Sequence, residues 1–428
     1  MSAKDTAPSA AGAKVRPGPS EDCVLTPELR ELGRVRAQPV LDWLLTMRLR
    51  QTRITLLFDG FLRQLVGIGV PVDRSTLHLP QLHPQLRART VLWEAEAGGA
   101  MEIPRLHGLE HTEFFLQSPV RLIFEGSAPI RRRLGHPDCP MDFPITQDIK
   151  AQGYTDYTAR PLPFSTRKIN TLTLASKHPE GFSDLDIATV ESAMPLFGVL
   201  LELRNAYRTS ETLMETYVGA RSGRRVLTGT IQRGDVERIN AVLWTCDLRD
   251  FTGISASLPM DEVIELLDSY FEVMAQAINA KGGEILKFIG DGILAIFPIE
   301  EKHGGDPCRA CHASMAAAQK ALADAAALSA AREAAGKRGF RCGIALHVGD
   351  VMYGNIGAAD RLDFTVIGPA VNLVSRIEDL NRELAMPLVF SAAFAATWPG
   401  AKRSLGPHRL KGFSEPVEVF TLANTEAS

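Results

Sequence analysis

The apolar positions change period along the chain, and the changes mark its elements. Over Pro27 to Gly67, apolar residues recur at near-helical spacing among arginines. Leu41, Leu44, Leu45, Met47 and Leu49 belong to this pattern, which predicts helix. From Val70 to about Thr173 the runs shorten. Thr90-Val91-Leu92-Trp93, Arg121-Leu122-Ile123-Phe124 and Thr171-Leu172-Thr173-Leu174 predict strands, punctuated by Gly, Pro and His. Phe182-Ser183-Asp184-Leu185-Asp186 then predicts a helix start. Ser183 or Asp184 is the natural N-cap, because a short side-chain oxygen there accepts a first-turn N–H that has no helical partner. Helix, then several strands, then helix is α+β order.

Leu196, Leu200, Leu203, Tyr207, Ser210, Met214 and Tyr217 alternate at spacings of four and three. This is a heptad seam with one Ser in it, the pattern of a parallel dimerising helix, although a helix packed on its own domain reads similarly. Tyr217 to Gly234 is rich in Gly and Arg and predicts a hinge. Beyond it the order is strand (Ala241 to Cys246), helix (Pro259 to Lys281), and two strands (Glu284 to Phe288, Gly292 to Phe297). A long Ala-rich helix (Cys308 to Ala334), a strand (Phe340 to Leu346) and a helix from about Ala370 follow. The βαββαβ order is ferredoxin-like, and it occurs once, with no internal repeat.

At 428 residues, with 45% hydrophobic content, the chain is long enough for two or three packed domains. A net charge of -3 gives no global electrostatic case for nucleic acid or an anionic membrane. Local clusters such as Arg131-Arg132-Arg133 and Arg221 to Arg225 read as solvated faces or linkers. No apolar run, the stretch Leu196 to Leu201 included, approaches the roughly 20 residues that span a bilayer. Residues 1–22 are rich in Ala, Pro, Ser, Lys and Gly, lack the apolar core of a secretory signal and read as a disordered tail. The expectation is a soluble cytoplasmic protein.

Six cysteines (23, 139, 246, 308, 311 and 342) are too scattered for a disulfide framework. Cys308-Arg309-Ala310-Cys311-His312 matches the c-type haem attachment motif. It opens the Ala-rich helix, however, and packing by small residues is the better reading. His78, His83, His107, His111 and His136 are isolated on mixed segments and read as surface or core residues. Cys23 and Cys139 invite comparison with bilin attachment, without supporting context.

Three strings carry candidate chemistry. Asp247 ends the apolar run Ala241-Val242-Leu243-Trp244 and opens Asp247-Leu248-Arg249-Asp250-Phe251-Thr252. Asp291 sits in the tight Gly290-Asp291-Gly292 turn after Lys287-Phe288-Ile289. Acids at the ends of neighbouring strands converge on one point, and hard oxygen donors suit Mg²⁺ or Mn²⁺ rather than zinc. The third string runs from Thr365 through Gly368 to Asn372 and Arg376, which lie four apart on one helix face.

Together these strings resemble the catalytic domain of class III nucleotide cyclases, over about Asp235 to Phe420. The resemblance implies attack of the ribose 3′-oxygen on the α-phosphate of a nucleoside triphosphate, with release of pyrophosphate. Two metal ions per site, Mg²⁺ or Mn²⁺, would be held by Asp247, Asp291 and the Leu248 carbonyl. Arg376 would neutralise charge at the α-phosphate and Asn372 would orient the ribose. Lys411, in Leu410-Lys411-Gly412-Phe413, would contact the terminal phosphates, though this string also makes an ordinary turn. Lys287 and Thr365 would read the base. Lys donates to a ring nitrogen of adenine and Thr accepts from its amine, where guanylate cyclases of the family carry Glu and Cys. The implied substrate is therefore ATP. The family usually has Gly at the position of Asp250, a departure that crowds the triphosphate loop with a negative side chain. In this family the metal and base-reading residues come from opposite subunits, which implies a homodimer with two equivalent sites.

Leu172-Thr173-Leu174-Ala175-Ser176 followed by Gly181 to Asp186 is similar to the last strand and helix start of a GAF-type sensory domain. The expected division is a tail at 1–22, a GAF-like regulatory domain at 23–195, a helical linker and hinge at 196–234 and the cyclase domain at 235–428. The front domain's ligand, small molecule or protein, is not legible. Two rivals remain: a catalytically silent cyclase-like module, and a diguanylate cyclase or polymerase-type enzyme. The latter carries Gly-Gly-Asp/Glu-Glu-Phe at the hairpin, where this chain has Ile289-Gly290-Asp291-Gly292.

Overall fold

The computed structural model describes residues 22, 24–47, 53–166, 169–299 and 307–424. Residues 1–21 of the expected tail, Cys23 and Leu49 lie outside the described residues. The chain divides into two compact units, Met1–Thr212 and Leu213–Ser428.

The first unit opens with α1 (Pro27–Met47) and α2 (Ile54–Gly67), two helices where the periodicity suggested one. Strands β1 (Arg74–Pro80), β2 (Leu86–Glu94) and β3 (Gly99–Leu106) follow, then a 3₁₀ turn at Leu109–His111, α3 (Glu113–Leu116) and α4 (Pro119–Phe124). The unit continues with β4 (Ile130–Arg132), α5 (Pro144–Ala151), β5 (Asp156–Pro163), β6 (Ile169–Ser176) and α6 (Asp184–Val218), a helix within which the unit boundary falls. The expected strand at Arg121–Phe124 is helix α4. Ser118 Oγ accepts from Val120 N at 3.1 Å and Pro119 stands at the first helical position, so a start signal overrides the β-prone Leu-Ile-Phe.

The six strands form one antiparallel sheet in the order β3-β2-β1-β6-β5-β4. Alternation gives it two different faces. Leu77, Leu79, Val91, Trp93, Leu172 and Leu174 pack with the helices, where Phe61 stacks on Phe197 at 4.1 Å. Ser183 caps α6 as expected. Its Oγ accepts from Asp186 N at 3.1 Å, and Asp186 Oδ2 accepts in return from Ser183 N at 2.8 Å, a reciprocal capping box.

The second unit contains α7 (Ala220–Leu227), β7 (Val236–Leu248), α8 (Phe251–Ser257), α9 (Met260–Ala280), β8 (Glu284–Ile289), β9 (Gly292–Pro298) and α10 (Pro307–Ala334). It continues with β10 (Cys342–Gly357), β11 (Leu362–Ile367), α11 (Pro369–Glu383), β12 (Leu388–Ser391), α12 (Ala392–Thr397), β13 (Lys402–His408) and β14 (Val417–Leu422). Its sheet runs β13-β14-β12-β10-β7-β9-β8, with β11 also on β10. The inner order β10-β7-β9-β8 is the ferredoxin-like arrangement expected from the sequence. α9 and α10 supply one core and α11 the other. Cys311 is buried among Ala310, Met315 and Ala317 of α10, in keeping with helix packing by small residues.

The Gly- and Arg-rich segment expected as a hinge is partly ordered. Gly219, at φ 96°, breaks the chain between α6 and α7. Ser222 then donates from N (2.9 Å) and Oγ (2.6 Å) to buried Glu284, which also accepts from the Tyr353 hydroxyl at 2.9 Å. Among the described residues no helix is long and apolar enough to cross a membrane.

In the first unit, Arg131 Nη2 donates to Asp156 Oδ2 at 2.6 Å, both side chains being essentially inaccessible, and Asp156 also accepts from Phe182 N at 3.0 Å. Removing one partner of such a pair strands a buried charge. Asp156→Ala is expected to destabilise this unit by about 3–5 kcal/mol, read as a lower urea midpoint in equilibrium unfolding.

Candidate active site

Strand β7 is exposed at its start, buried over most of Ala241 to Leu248, and carries Asp247 at its penultimate position, 8% exposed. The neighbouring β8–β9 hairpin turns at Gly290, whose φ of 63° suits glycine, and presents Asp291. Asp291 Oδ2 accepts from Leu248 N at 3.1 Å, so the two strand ends are tied together. Burial first, and the negative charge of Asp247 next, push the Asp291 carboxyl above its ordinary range. Asp247, Leu248 and Asp291 are thus brought together as expected. Leu248, Asp250, Thr252, Asp291 and Arg382 line a groove of about 540 Å³.

Three charged residues not anticipated from the sequence surround Asp247. Arg249 Nη1 lies 3.3 Å from Asp247 Oδ1 and 3.1 Å from Glu378 Oε1, and Arg382 Nη2 donates to Asp247 Oδ2. Glu378 is pushed up to about 8 by burial and by its hydrogen bond to, and repulsion from, Asp247. An added Cβ at Gly343, opposite Asp247 in the register, would meet Arg249 Nη2 at 1.6 Å. The glycine therefore makes the room Arg249 occupies. The only sequence signal for this set was its closeness to the recognised strings: Arg249 follows Leu248, and Glu378 and Arg382 continue the helix of Arg376.

Helix α11 carries two functional pairs in different directions. Glu378 and Arg382 turn toward Asp247. Asn372 is exposed, and Arg376, its side chain 41% exposed, pairs with Asp379 at 2.9 Å on its own helix. At 3.6 residues per turn the two pairs point about 120° apart. Asn372 and Arg376 accordingly do not line the groove of Leu248 and Asp291.

The base-reading candidates lie together, away from that groove. Lys287 Nζ is 2.9 Å from Asp363 Oδ2, and both line a second groove of about 1100 Å³ with Phe288 and arginines of α7. Thr365 is two residues along β11 from Asp363 and so on the same strand face, 5% exposed, and among the described residues its Oγ1 has no hydrogen-bond partner. Asp363 was missed because an Asp in a strand ahead of the recognised string carries no signal of its own. Lys411 is exposed in the turn between β13 and β14 and lines neither groove.

Asp250 adopts the left-handed conformation, φ 57° and ψ 35°, at the start of α8. That accounts for the glycine usual here, since a Cβ is disfavoured in this region. The Asp250 carboxylate lies where a Cβ added to Gly253 would fall, 2.6 Å away, so it folds over the first turn of α8.

Residues 237–393 match the model of the adenylate and guanylate cyclase catalytic domain. The second unit therefore contains a class III adenylate/guanylate cyclase catalytic domain. Adenylate cyclase 1 of Rhizobium meliloti (strain 1021) is 27% identical to this chain over 263 residues, 60% of this chain and 38% of that protein. An adenylate cyclase of Anabaena cylindrica is 36% identical over 140 residues, 32% of this chain and 26% of that protein. The chain thus spans well under half the length of these curated relatives. The crystal structure of the adenylyl cyclase CyaB from P. aeruginosa superposes with a TM-score of 0.40 at 26% identity, covering 43% of this chain and 94% of that one.

Asp250→Gly is expected to relieve the left-handed strain, raising the unfolding free energy by about 0.5–1 kcal/mol in urea titrations. It also removes a negative charge beside the groove, which repels a polyanion, so the nucleoside triphosphate concentration at half-saturation should fall.

Proposed function

We propose that this chain is an adenylate cyclase that converts ATP to 3′,5′-cyclic AMP and pyrophosphate at sites shared between two copies. One observation carries the reading. A full set of cyclase residues is present but split between separate faces: Leu248 and Asp291 on one groove with Asp247 buried beside them, Lys287 and Thr365 elsewhere, Asn372 and Arg376 on an outward helix face. A two-fold axis would join the metal half of one copy to the base and phosphate half of the other, twice.

Asp247, Asp291 and the Leu248 carbonyl make an oxygen donor set suited to Mg²⁺ or Mn²⁺. Burial, and after it repulsion from Asp247, raises the Asp291 pKa, and a divalent cation would relieve the repulsion. When bound, such ions supply Lewis acidity toward the ribose 3′-hydroxyl and neutralise the triphosphate. The chain's own residues orient and discriminate. Thr365 offers its unpartnered, buried hydroxyl to the adenine amine, and leaving that atom unmatched costs about 1–3 kcal/mol. Lys287, oriented by Asp363, donates to a ring nitrogen. Asn372 positions the ribose. Arg376 donates to the α-phosphate oxygens as the 3′-oxygen bonds to phosphorus and the bond to pyrophosphate breaks. Lys411, exposed on its turn, is assigned to the terminal phosphates only by its motif.

We also propose that residues 23–195 form a GAF-like regulatory domain acting through 196–234. The six-stranded antiparallel sheet, packed by α1, α2 and α6 on one face, supports this, as do the exposed seam residues Leu203, Tyr207 and Tyr217 on α6. Activity and dimerisation unchanged after deletion of residues 1–190 would remove this part of the reading.

A catalytically silent module is favoured by one observation: Asp247 is already ion-paired with Arg249 and Arg382. Product analysis separates the readings. With ATP and GTP supplied in parallel with Mg²⁺ or Mn²⁺, cyclic AMP should form and should be abolished by Asp291→Ala. No cyclic product with either metal would favour the silent module, and cyclic GMP as the main product would overturn the base assignment. Asp247→Ala and Arg376→Ala should each fall at least about 100-fold in turnover, and mixing them should restore up to about a quarter of wild-type activity, through one intact site in each mixed dimer. Mixed dimers that form but remain inactive would refute the shared site.

A further inference from the structure

The first unit's sheet has a second face that is not filled like a core. Thr76 and His78 of β1, Thr90 of β2, Arg105 of β3 and Thr173 of β6 point away from the helical side and floor a cavity of about 180 Å³. Leu92 and Ile103 share this sheet face, and Phe115, Val120 and Ile149 cover it from the other side. A sheet face buried only for stability would carry apolar residues throughout, in place of this row of threonines with a histidine and an arginine. A polar row under an apolar roof is the arrangement of a small-molecule site.

The floor is a connected network. Thr76 Oγ1 lies 2.8 Å from His78 Nε2 and 2.5 Å from Thr173 Oγ1, and His78 Nδ1 lies 3.2 Å from Thr90 Oγ1. Burial, and then Arg105, hold His78 down at about 3, so it is neutral. Arg105 Nε donates to Thr90 Oγ1 at 3.2 Å, and among the described residues Arg105 makes no ion pair. The other charged lining groups are placed differently. Arg74 is 3.8 Å from Glu94, and Asp148 is exposed to solvent at the rim. The threonines and the histidine satisfy one another, which leaves the Arg105 guanidinium as the donor without a matching acceptor. A planar carboxylate is its geometric complement.

Volume limits the rest of the ligand. A cavity of roughly 150 Å³ takes a single benzene ring. About 180 Å³ therefore takes one ring with a short arm, and is too small for a nucleotide, a flavin or a tetrapyrrole. We propose that this cavity binds a small aromatic monocarboxylic acid, its ring among Leu92, Ile103, Phe115 and Val120 and its carboxylate on Arg105. The site is independent of the cyclase reading, because occupancy is measured without reference to turnover.

The test uses the full chain with benzoate and phenylacetate as probes, benzamide and benzyl alcohol as neutral counterparts, and calorimetric titration with thermal shift as readouts. At least one acid should bind and raise the unfolding temperature, with its neutral counterpart at least 10-fold weaker. Arg105→Gln should weaken the acid at least 10-fold and leave the neutral compound unchanged. Ala88→Phe, which fills the cavity from β2, should abolish binding of both while circular dichroism stays that of the parent. Failure of both acids to bind at millimolar concentration overturns the proposal. So does equal binding of acid and neutral compound, or acid binding that survives either substitution in a folded variant.

Discussion

Two carboxylates held at the ends of adjacent strands repel, and much of the second unit serves to keep Asp247 and Asp291 together. Their positions follow from the register of β7 against β9 and from the Gly290 turn, both fixed by the buried core on either side of the sheet. Two cations, Arg249 and Arg382, compensate Asp247, and the amide of Leu248 compensates Asp291. Glu378, pushed up to about 8, adds a third acid to the same cluster and carries a proton at neutral pH more readily than an ordinary carboxyl. The cluster is thus charge-balanced by protein groups alone. Arg382, at the last turn of α11, is the more exposed of the two arginines.

Helix α11 connects this cluster to the rest of the chemistry. Its buried stripe, Val374, Ile377 and Leu380, fixes its rotation on the sheet. Once that rotation is set, Glu378 and Arg382 must face Asp247, and Asn372 and Arg376 must face elsewhere. No side-chain rotation carries Arg376 round the helix to its own Asp247. The proposed sharing of the site between two copies rests on this split of one helix into two polar faces.

What the sequence made legible divides along the same line. The strands and helices of the second unit have strong periods, and their order yields the ferredoxin-like sheet. Asp247, Asp291, Lys287, Thr365, Asn372 and Arg376 stood in strings whose combination is informative. Arg249, Glu378, Arg382 and Asp363 did not stand out, because charged residues on a helix or strand usually face water and only the folded register makes these meet. The first unit was read less well. Arg121 to Phe124 has β-prone composition, and four residues cannot distinguish a strand from a capped helical turn. The expected hinge at 217–234 was read from Gly and Arg content, which does not reveal that Ser222 hydrogen-bonds to Glu284 in the sheet.

Asp250 shows how one residue can depart from its family's pattern without disturbing the fold. Its backbone is held left-handed by its place between the end of β7 and the first turn of α8, and Asp tolerates that region better than most residues because its short side chain bonds locally. The strain is small against the burial of the second half of β7, which carries Asp247. The carboxylate, by contrast, lies on the rim of the groove that holds Asp291. The departure is therefore conformationally mild and electrostatically direct, and its effect falls on the charge of that groove rather than on the architecture.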